Sequence, residues 1–404
     1  MARAQSNPLI TTSDPILGYI PVDFTGWSAA NCGGLSAVTW APLTDRLTPD
    51  GRLFTTSPSG KYWATYTVDG LSMSLDKDVA AASVRSGLYT CTGAFYHAAS
   101  GKVIFKDVNN ATSGPYYAGT YDPSTCGTVG ATAASFNSST VIYDSGSGQT
   151  NTNRILPMKG GNWIVANPRN YYGTDPYYLR PEYIQTNDAA TSEVSYNYVS
   201  VTAYDNNEYN LSLIRLSETK AVLTYPYMSA TGTWAKGVVW DDGSFGTTQS
   251  NYYDYLVMGS AFQSWNGSLY FAISSTLIGT FSSTTGNYLS IADVNGSSIG
   301  YRCSPTYTAS PLGNGYTTMG IRLSENTFFA LAWPTAGGTV YGCVMTFNTS
   351  NNTITTGSWQ SLGSVSATGT THGYPVAINL PGNKVFLWFK CANSSYYIIL
   401  KGAA

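Results

Sequence analysis

The stretch that most constrains this chain is Leu323-Ser324-Glu325-Asn326-Thr327-Phe328-Phe329-Ala330-Leu331-Ala332-Trp333, because it recurs. A tight polar turn leads into a short apolar run, and the same order is found at Leu216 to Tyr225 and at Leu380 to Trp388. Looser copies occur at Pro58 to Tyr66, Ala99 to Phe105, Leu156 to Val165 and Ser264 to Ile273. The first strand residue after each turn is then Tyr62, Val103, Trp163, Ala221, Leu269, Phe328 and Val385. Units of about 40 to 60 residues at such intervals mark a repeat architecture, in which each unit buries its apolar surface against the next.

Each turn is flanked by further strand-like runs. Tyr316 to Ile321 precedes the turn at Ser324, Thr339 to Phe347 follows after Gly337-Gly338, and Asn352 to Gly357 closes the unit. Four short antiparallel strands per unit, repeated around a ring, predict an all-β protein, a β-propeller. Seven copies predict seven blades, and losing the weak copy at Tyr62 leaves six. Beyond the last turn only about twenty residues remain, enough for two strands. The strands read between Ile16 and Trp40 are therefore expected to complete the last blade and close the ring, so that no sheet edge stays open. On this reading residues 1–50 are an N-terminal arm with the ring-closing strands, and 51–404 are the propeller. Asp76 to Ser83 is the one stretch that suits a helical turn or two, and it suits a loop equally well.

Composition agrees. Gly (41) and Tyr (32) are abundant, and only 10% of residues are charged, far below the usual quarter. Tyr and Thr favour half-buried strands, while Gly, Asn and Ser favour turns. Net charge is −2 with no run of Lys or Arg, which argues against nucleic acid as a partner. No stretch approaches the roughly 18 apolar residues of a membrane span. The first residues, Met1 to Pro8, lack the apolar region of a secretory signal, so no conventional export is expected.

Chemistry-bearing residues are sparse. The six cysteines, Cys32, Cys91, Cys126, Cys303, Cys343 and Cys391, form no C-x-x-C pair, and the plain expectation is buried free thiols. His97 and His372 are isolated and make no metal motif. No calcium loop, phosphate loop or dinucleotide glycine pattern is present, so neither a metal nor a cofactor is expected. Glycan hydrolysis needs two carboxylates set across the scissile bond. Asp23, Asp107, Glu182, Asp205, Glu208, Asp254 and Asp293 are available, but spacing singles out no pair. Sialidase propellers carry a Ser/Thr-x-Asp-x-Gly-x-Thr-Trp box; Asp241-Asp242-Gly243-Ser244-Phe245 comes nearest and lacks both its start and its Thr-Trp end.

Tyrosine is more informative. Doublets stand at Tyr116-Tyr117, Tyr171-Tyr172, Tyr177-Tyr178, Tyr252-Tyr253 and Tyr396-Tyr397. Alternation along a strand sends one of each pair to the core and leaves the other exposed. Asn167 to Tyr178 reads instead as a loop, from its Pro, Gly and Asn content. Tyr171, Tyr172, Tyr177 and Tyr178 are thus the candidate ligand-binding residues, suited to a sugar face or a protein partner.

The unit Leu-Ser-x-Thr-Lys, followed by an apolar strand, a Gly/Ser/Thr-rich hairpin and a strand ending Thr-Ile-Thr, resembles repeats of tail-associated β-propellers of bacteriophages. The stretches that carry the likeness are Leu216 to Tyr225 and Leu323 to Gly357. The resemblance implies a virion tail protein assembled with other virion structural proteins as a homo-oligomer, in contact with host surface glycans. It supplies no catalytic residue. The expectation is accordingly a non-enzymatic tail fibre, nozzle or appendage component, whose polar arm docks on a neighbour through Arg3, Gln5, Pro8 and Leu9. The alternatives are a carbohydrate-binding propeller lectin that uses the tyrosine loop, and a glycan hydrolase with an unrecognised carboxylate set.

Overall fold

The computed structural model describes residues 26–38, 40–42, 47–48, 50–56, 62–80, 91–97, 100–107, 116–122, 127–134, 155–158, 162–169, 177–187, 189, 192–198, 201–203, 212–229, 232–241, 244–245, 250–252, 270–281, 287–313, 316–334, 336–366, 372–391 and 394–402. Among them the strands form seven antiparallel sheets of four or five strands, and the one helical element is the single 3-10 turn Ala29–Asn31.

In chain order the first sheet comprises Ala41–Pro42, Leu53–Thr56, Tyr62–Asp69 and Ser72–Ala80. The second comprises Cys91–His97, Lys102–Asp107, Tyr116–Asp122 and Gly127–Ala134. The third runs Ile155–Pro157, Asn162–Arg169 and Tyr177–Thr186, with Glu193–Tyr198 and Val201–Ala203 sharing the outer edge. The fourth runs Ser212–Ser217, Lys220–Ser229 and Gly232–Asp241, edged by Ser244–Phe245 and Ser250–Tyr252. In the fifth are Phe271–Ala272, Leu277–Phe281, Leu289–Asn295 and Ser298–Cys303. The sixth has Tyr316–Ser324, Thr327–Pro334 and Gly338–Asn348, edged by Thr353–Thr356 and Gln360–Val365. The seventh takes His372–Leu380, Lys384–Cys391 and Ser394–Lys401, and its outer strand comes from the other end of the chain. Ser36–Val38 pairs antiparallel with Ser394–Lys401, Ala37 opposite Tyr396.

The recurring turn now has a structural meaning: it joins the first strand of each sheet to the second. Chain reversal there needs a left-handed backbone, which Asn326 (φ 63°) and Asn383 (φ 53°) adopt because a short amide side chain tolerates it. The apolar run that follows is the second strand, and it is buried on both sides. In Thr327–Pro334, alternation sends Phe328 and Ala330 into a core shared with the fifth sheet. Phe329, Leu331 and Trp333 go into a core shared with the seventh. Because each sheet is sandwiched between two others, its second strand reads as continuous apolar sequence rather than as alternation.

The same face-to-face contact recurs along the chain. Trp63 meets Phe105 edge-on between the first and second sheets. Ile164, Tyr183, Ala221 and Trp240 join the third to the fourth, and Val222, Val239, Ile278 and Ala292 the fourth to the fifth. The seventh packs on the first through Ile378, Phe386, Ile399 and Leu53. Approach is closest where a glycine stands: a Cβ on Gly320 would fall within the Phe271 ring.

A polar clamp accompanies these cores. In the second, fourth and seventh sheets the lysine that opens the second strand donates to a carbonyl near the turn between the third and outer strands of the next sheet. Lys102 Nζ reaches the Ala189 carbonyl (2.8 Å), Lys220 Nζ that of Val294 (3.5 Å) and Lys384 Nζ that of Gly70 (2.8 Å). Leu277 opens this strand in the fifth sheet, and there Arg302 takes over, bonding Asn352 Oδ1 and the Thr349 carbonyl of the sixth (2.8 Å each).

Four expectations from sequence are corrected. The copy assigned to Tyr62 belongs to the third strand of its sheet; the true second strand is Leu53–Thr56, after the turn in which Arg52 N donates to Thr48 Oγ1. The copy assigned to Leu269 moves to Leu277, since Phe271–Ala272 is the first strand and Ser274 to Thr276 the turn. Both shifts even out the spacing of the units. Ser72–Ala80 is a strand, not helical turns, because it pairs along its length with Tyr62–Asp69. In the doublet Tyr396-Tyr397 both rings are buried, one in each neighbouring core, since neither side of the sheet faces solvent.

Candidate functional site

The first-to-second-strand turns lie at one end of the sheets, and that end is tied shut by hydrogen bonds between sheets. Arg322, fully buried, donates to the Leu216 carbonyl of the fourth sheet (3.2 Å) and pairs with Glu325. Glu325 in turn accepts from the Ser275 backbone N–H of the fifth (3.2 Å). The shared Ile-Arg-Leu-Ser-Glu at 214–218 and 321–325 is therefore a structural motif at these turns.

At the opposite end each third strand begins, with an aromatic residue at or near its start. Tyr62-Trp63, Tyr116-Tyr117, Tyr177-Tyr178, Trp234, Tyr288, Tyr341 and Tyr396-Tyr397 all stand there. Most whose side chains are described are buried between sheets: Trp63, Tyr117, Tyr396 and Tyr397. Tyr341 is half-buried and tilts against Tyr316, ring centroids 6.1 Å apart, and burial together with the nearby Tyr341 hydroxyl pushes the Tyr316 phenol up. Beneath them Tyr307 is buried, and desolvation drives its phenol to about 12 despite a hydrogen bond to Thr318.

The fifth sheet differs. Tyr288 and Tyr301 keep 41% and 48% of their surface exposed. Tyr301 lies opposite Ala292, which packs toward the fourth sheet, so cross-strand pairing puts Tyr301 on that same side. Alternation from Ala292 adds Ser290 and then Tyr288 to this side. Between the two tyrosines runs a row of hydroxyls. Tyr301 Oη donates to Ser304 Oγ (3.2 Å), Ser304 Oγ and Ser290 Oγ are 3.3 Å apart, and Thr306 pairs with Tyr288. A bulge between Ile291 and Ala292 makes Arg302 the extra residue. Its guanidinium turns to Asp293 on the other side (2.9 Å), so the described side chains of the strip carry no charge.

The residues singled out from sequence fare unevenly. Tyr177 and Tyr178 are not loop residues: Tyr178 pairs with Arg169 and with Thr202, so the hairpin ladder runs through Pro168 and overrides the loop-like composition. Tyr171 and Tyr172 lie outside the described residues, as do Arg3, Gln5, Pro8 and Leu9, and Asp23, Asp205, Glu208 and Asp254. Asp293 is engaged by Arg302, and Asp241 by Lys220 (3.5 Å). Asp107 and Glu182 are strand residues of the second and third sheets. His97 is buried at a strand end with its Nδ1 2.8 Å from Ser100 Oγ, a turn-capping contact. Cys343 and Cys391 are buried free thiols, raised by desolvation, Cys391 to about 11. Among the described residues no group of three or more His, Cys, Asp or Glu is placed to hold a metal.

Tyr288 and Tyr301 escaped the sequence reading because they stand singly. The signal that could have found Tyr288 is an aromatic just before a third strand without a second aromatic beside it; Tyr301, on the outer strand, carries no such signal.

No protein-family model and no curated protein matches the chain. Among solved structures, it is similar to a polysaccharide lyase, a PL25 ulvan lyase bound to -[GlcA(1-4)Rha3S]-. Identity is 8% and the TM-score 0.46, over 91% of this chain and 96% of that one. It is also similar to a putative 6-phosphogluconolactonase from Bacteroides fragilis (10% identity, TM-score 0.41, 82% and 86% covered). A third is the Aleuria aurantia lectin in complex with alpha-methyl-L-fucoside (10% identity, TM-score 0.38, 85% and 98% covered). Likenesses this distant assign no substrate. They do overturn one expectation: with polysaccharide lyases among the similar structures, the chain is not to be classed as a non-enzyme.

Proposed function

We propose that the chain is a carbohydrate-binding protein, its seven sheets the blades of one ring that Ser36–Val38 closes by completing the seventh. The observation that carries the function is the strip on the fifth sheet, with two exposed tyrosines flanking an uncharged row of hydroxyls. Exposed aromatic rings stack on the C–H faces of sugars, and adjacent hydroxyls exchange hydrogen bonds with sugar hydroxyls.

The test is glycan-array binding of the purified protein beside a Tyr288→Ala, Tyr301→Ala double variant. Loss of glycan binding with an unchanged melting profile supports the reading, and unchanged binding removes the strip from it. The virion setting rests on the sequence resemblance alone. In that setting the glycan is one of a host surface, and the chain should co-purify with particles.

A further inference from the structure

The ligand of the strip has a definite shape. Tyr301 pairs with Ala292 and Tyr288 stands four residues before Ala292 on the neighbouring strand. At the usual rise per strand residue, the two anchor points are about 13 Å apart along the strands. A single pyranose is about as wide as one phenol ring and covers one tyrosine only. Between the rings Ser290, Ser304 and Thr306 offer hydroxyls in line with the strands, Ser290 itself buried and Ser304 and Thr306 nearer the surface. Of the nearby described cations, Arg302 is taken by Asp293, Asn352 and Thr349 on the opposite side of the sheet, and Lys220 of the fourth sheet by Asp241 and the Val294 carbonyl.

Resting on the carbohydrate-binding reading above, we propose that the strip binds an extended, unbranched and uncharged oligosaccharide, laid along Leu289–Asn295 and Ser298–Cys303. The chain spans on the order of three sugar units, with an end unit on each tyrosine and the middle unit over the serines. With the described cations Arg302 and Lys220 both already engaged, a uronate or sulfate would be desolvated against hydroxyls alone, which selects against acidic glycans.

The experiment is titration calorimetry with neutral glucose and mannose oligomers of one to six units, with an oligogalacturonate series as the acidic comparison. Affinity should climb to about the trimer or tetramer and then level off. Tyr288→Ala should lower the affinity of the long oligomers about tenfold or more and erase the dependence on length, while Tyr288→Phe restores it. Hydrogen exchange of the variants checks that the fifth sheet stays folded. Equal affinity for monomer and hexamer, or preference for the acidic series, overturns this inference and leaves carbohydrate binding standing. Failure of every oligomer to bind overturns the function itself.

Discussion

Trp27 offers the sharpest test of how Ser36–Val38 is held on the seventh sheet. It precedes the outer strand of the seventh sheet, and its side chain is buried in the core between the sixth and seventh sheets, edge-on to Phe329 with centroids 5.0 Å apart. Gln360 of the sixth sheet clasps the same segment: its Nε2 donates to the Trp27 carbonyl (3.3 Å), and its Oε1 accepts from the Ala29 N–H. Replacing Trp27 by Ala removes a large buried side chain at about 3–5 kcal/mol. The lost edge-to-face contact is worth about 0.5–1.5 kcal/mol of this. One term opposes the loss. The indole Nε1 is buried without a hydrogen-bond partner, so its removal returns about 1–3 kcal/mol. The net expectation is about 2 kcal/mol for Trp27→Ala, within bounds of about 0–4 kcal/mol. Trp27→Phe keeps the ring and drops the orphan donor, so it should stay within about 1 kcal/mol of the parent. Denaturant unfolding measures both, and hydrogen exchange locates the effect. The amides that pair Ser36–Val38 with Ser394–Lys401 should lose protection in the Ala variant before those of the second strands do. Equal destabilisation by Ala and Phe would refute the packing argument. Loss of protection spread evenly over all sheets would refute the claim that Trp27 anchors Ser36–Val38 on the seventh sheet.

Three further outcomes follow from the same packing. Lys384→Met should cost only about 0.5 kcal/mol, because the clamp is partly solvated, and should raise exchange selectively at the turn around Gly70. Gly320→Ala should destabilise by about 1–3 kcal/mol through overpacking on Phe271, and Phe271→Leu in the same chain should recover part of it, as a double-mutant cycle would show. Burial raises the Cys391 thiol from 9.0 to about 11, so the folded state holds it neutral while the unfolded chain ionises sooner. Stability should hold below pH 9 and fall as pH rises from there toward 11, with Cys391→Ala flattening that decline in denaturation curves taken across the range.

The turn-and-strand unit was legible because its parts are local. Asn326 and Asn383 mark left-handed turn positions, and the runs Phe328 to Trp333 and Val385 to Phe389 have the apolar density of strands covered on both sides. Registration failed where local cues were duplicated: Tyr62 also follows a turn and opens an apolar run, yet the pairing partners Leu53–Thr56 make it a third strand. The tyrosine doublets misled for a related reason. One face in and one face out holds for a sheet with a single covered side, and Tyr396 and Tyr397 belong to a sheet covered on both. The binding strip was illegible. Two tyrosines and a serine on separate strands come to one side only through the register of Leu289–Asn295 against Ser298–Cys303, whose bulge sends Arg302 to the other.

By itself, then, the sequence determined the strand unit, its repetition and the need for an N-terminal strand in the last sheet, because turn chemistry and apolar runs act over a few residues. Tertiary structure alone decided which tyrosines are buried and which remain for a ligand. Exposure belongs to the stacking of sheets, and residues far apart in the chain set it.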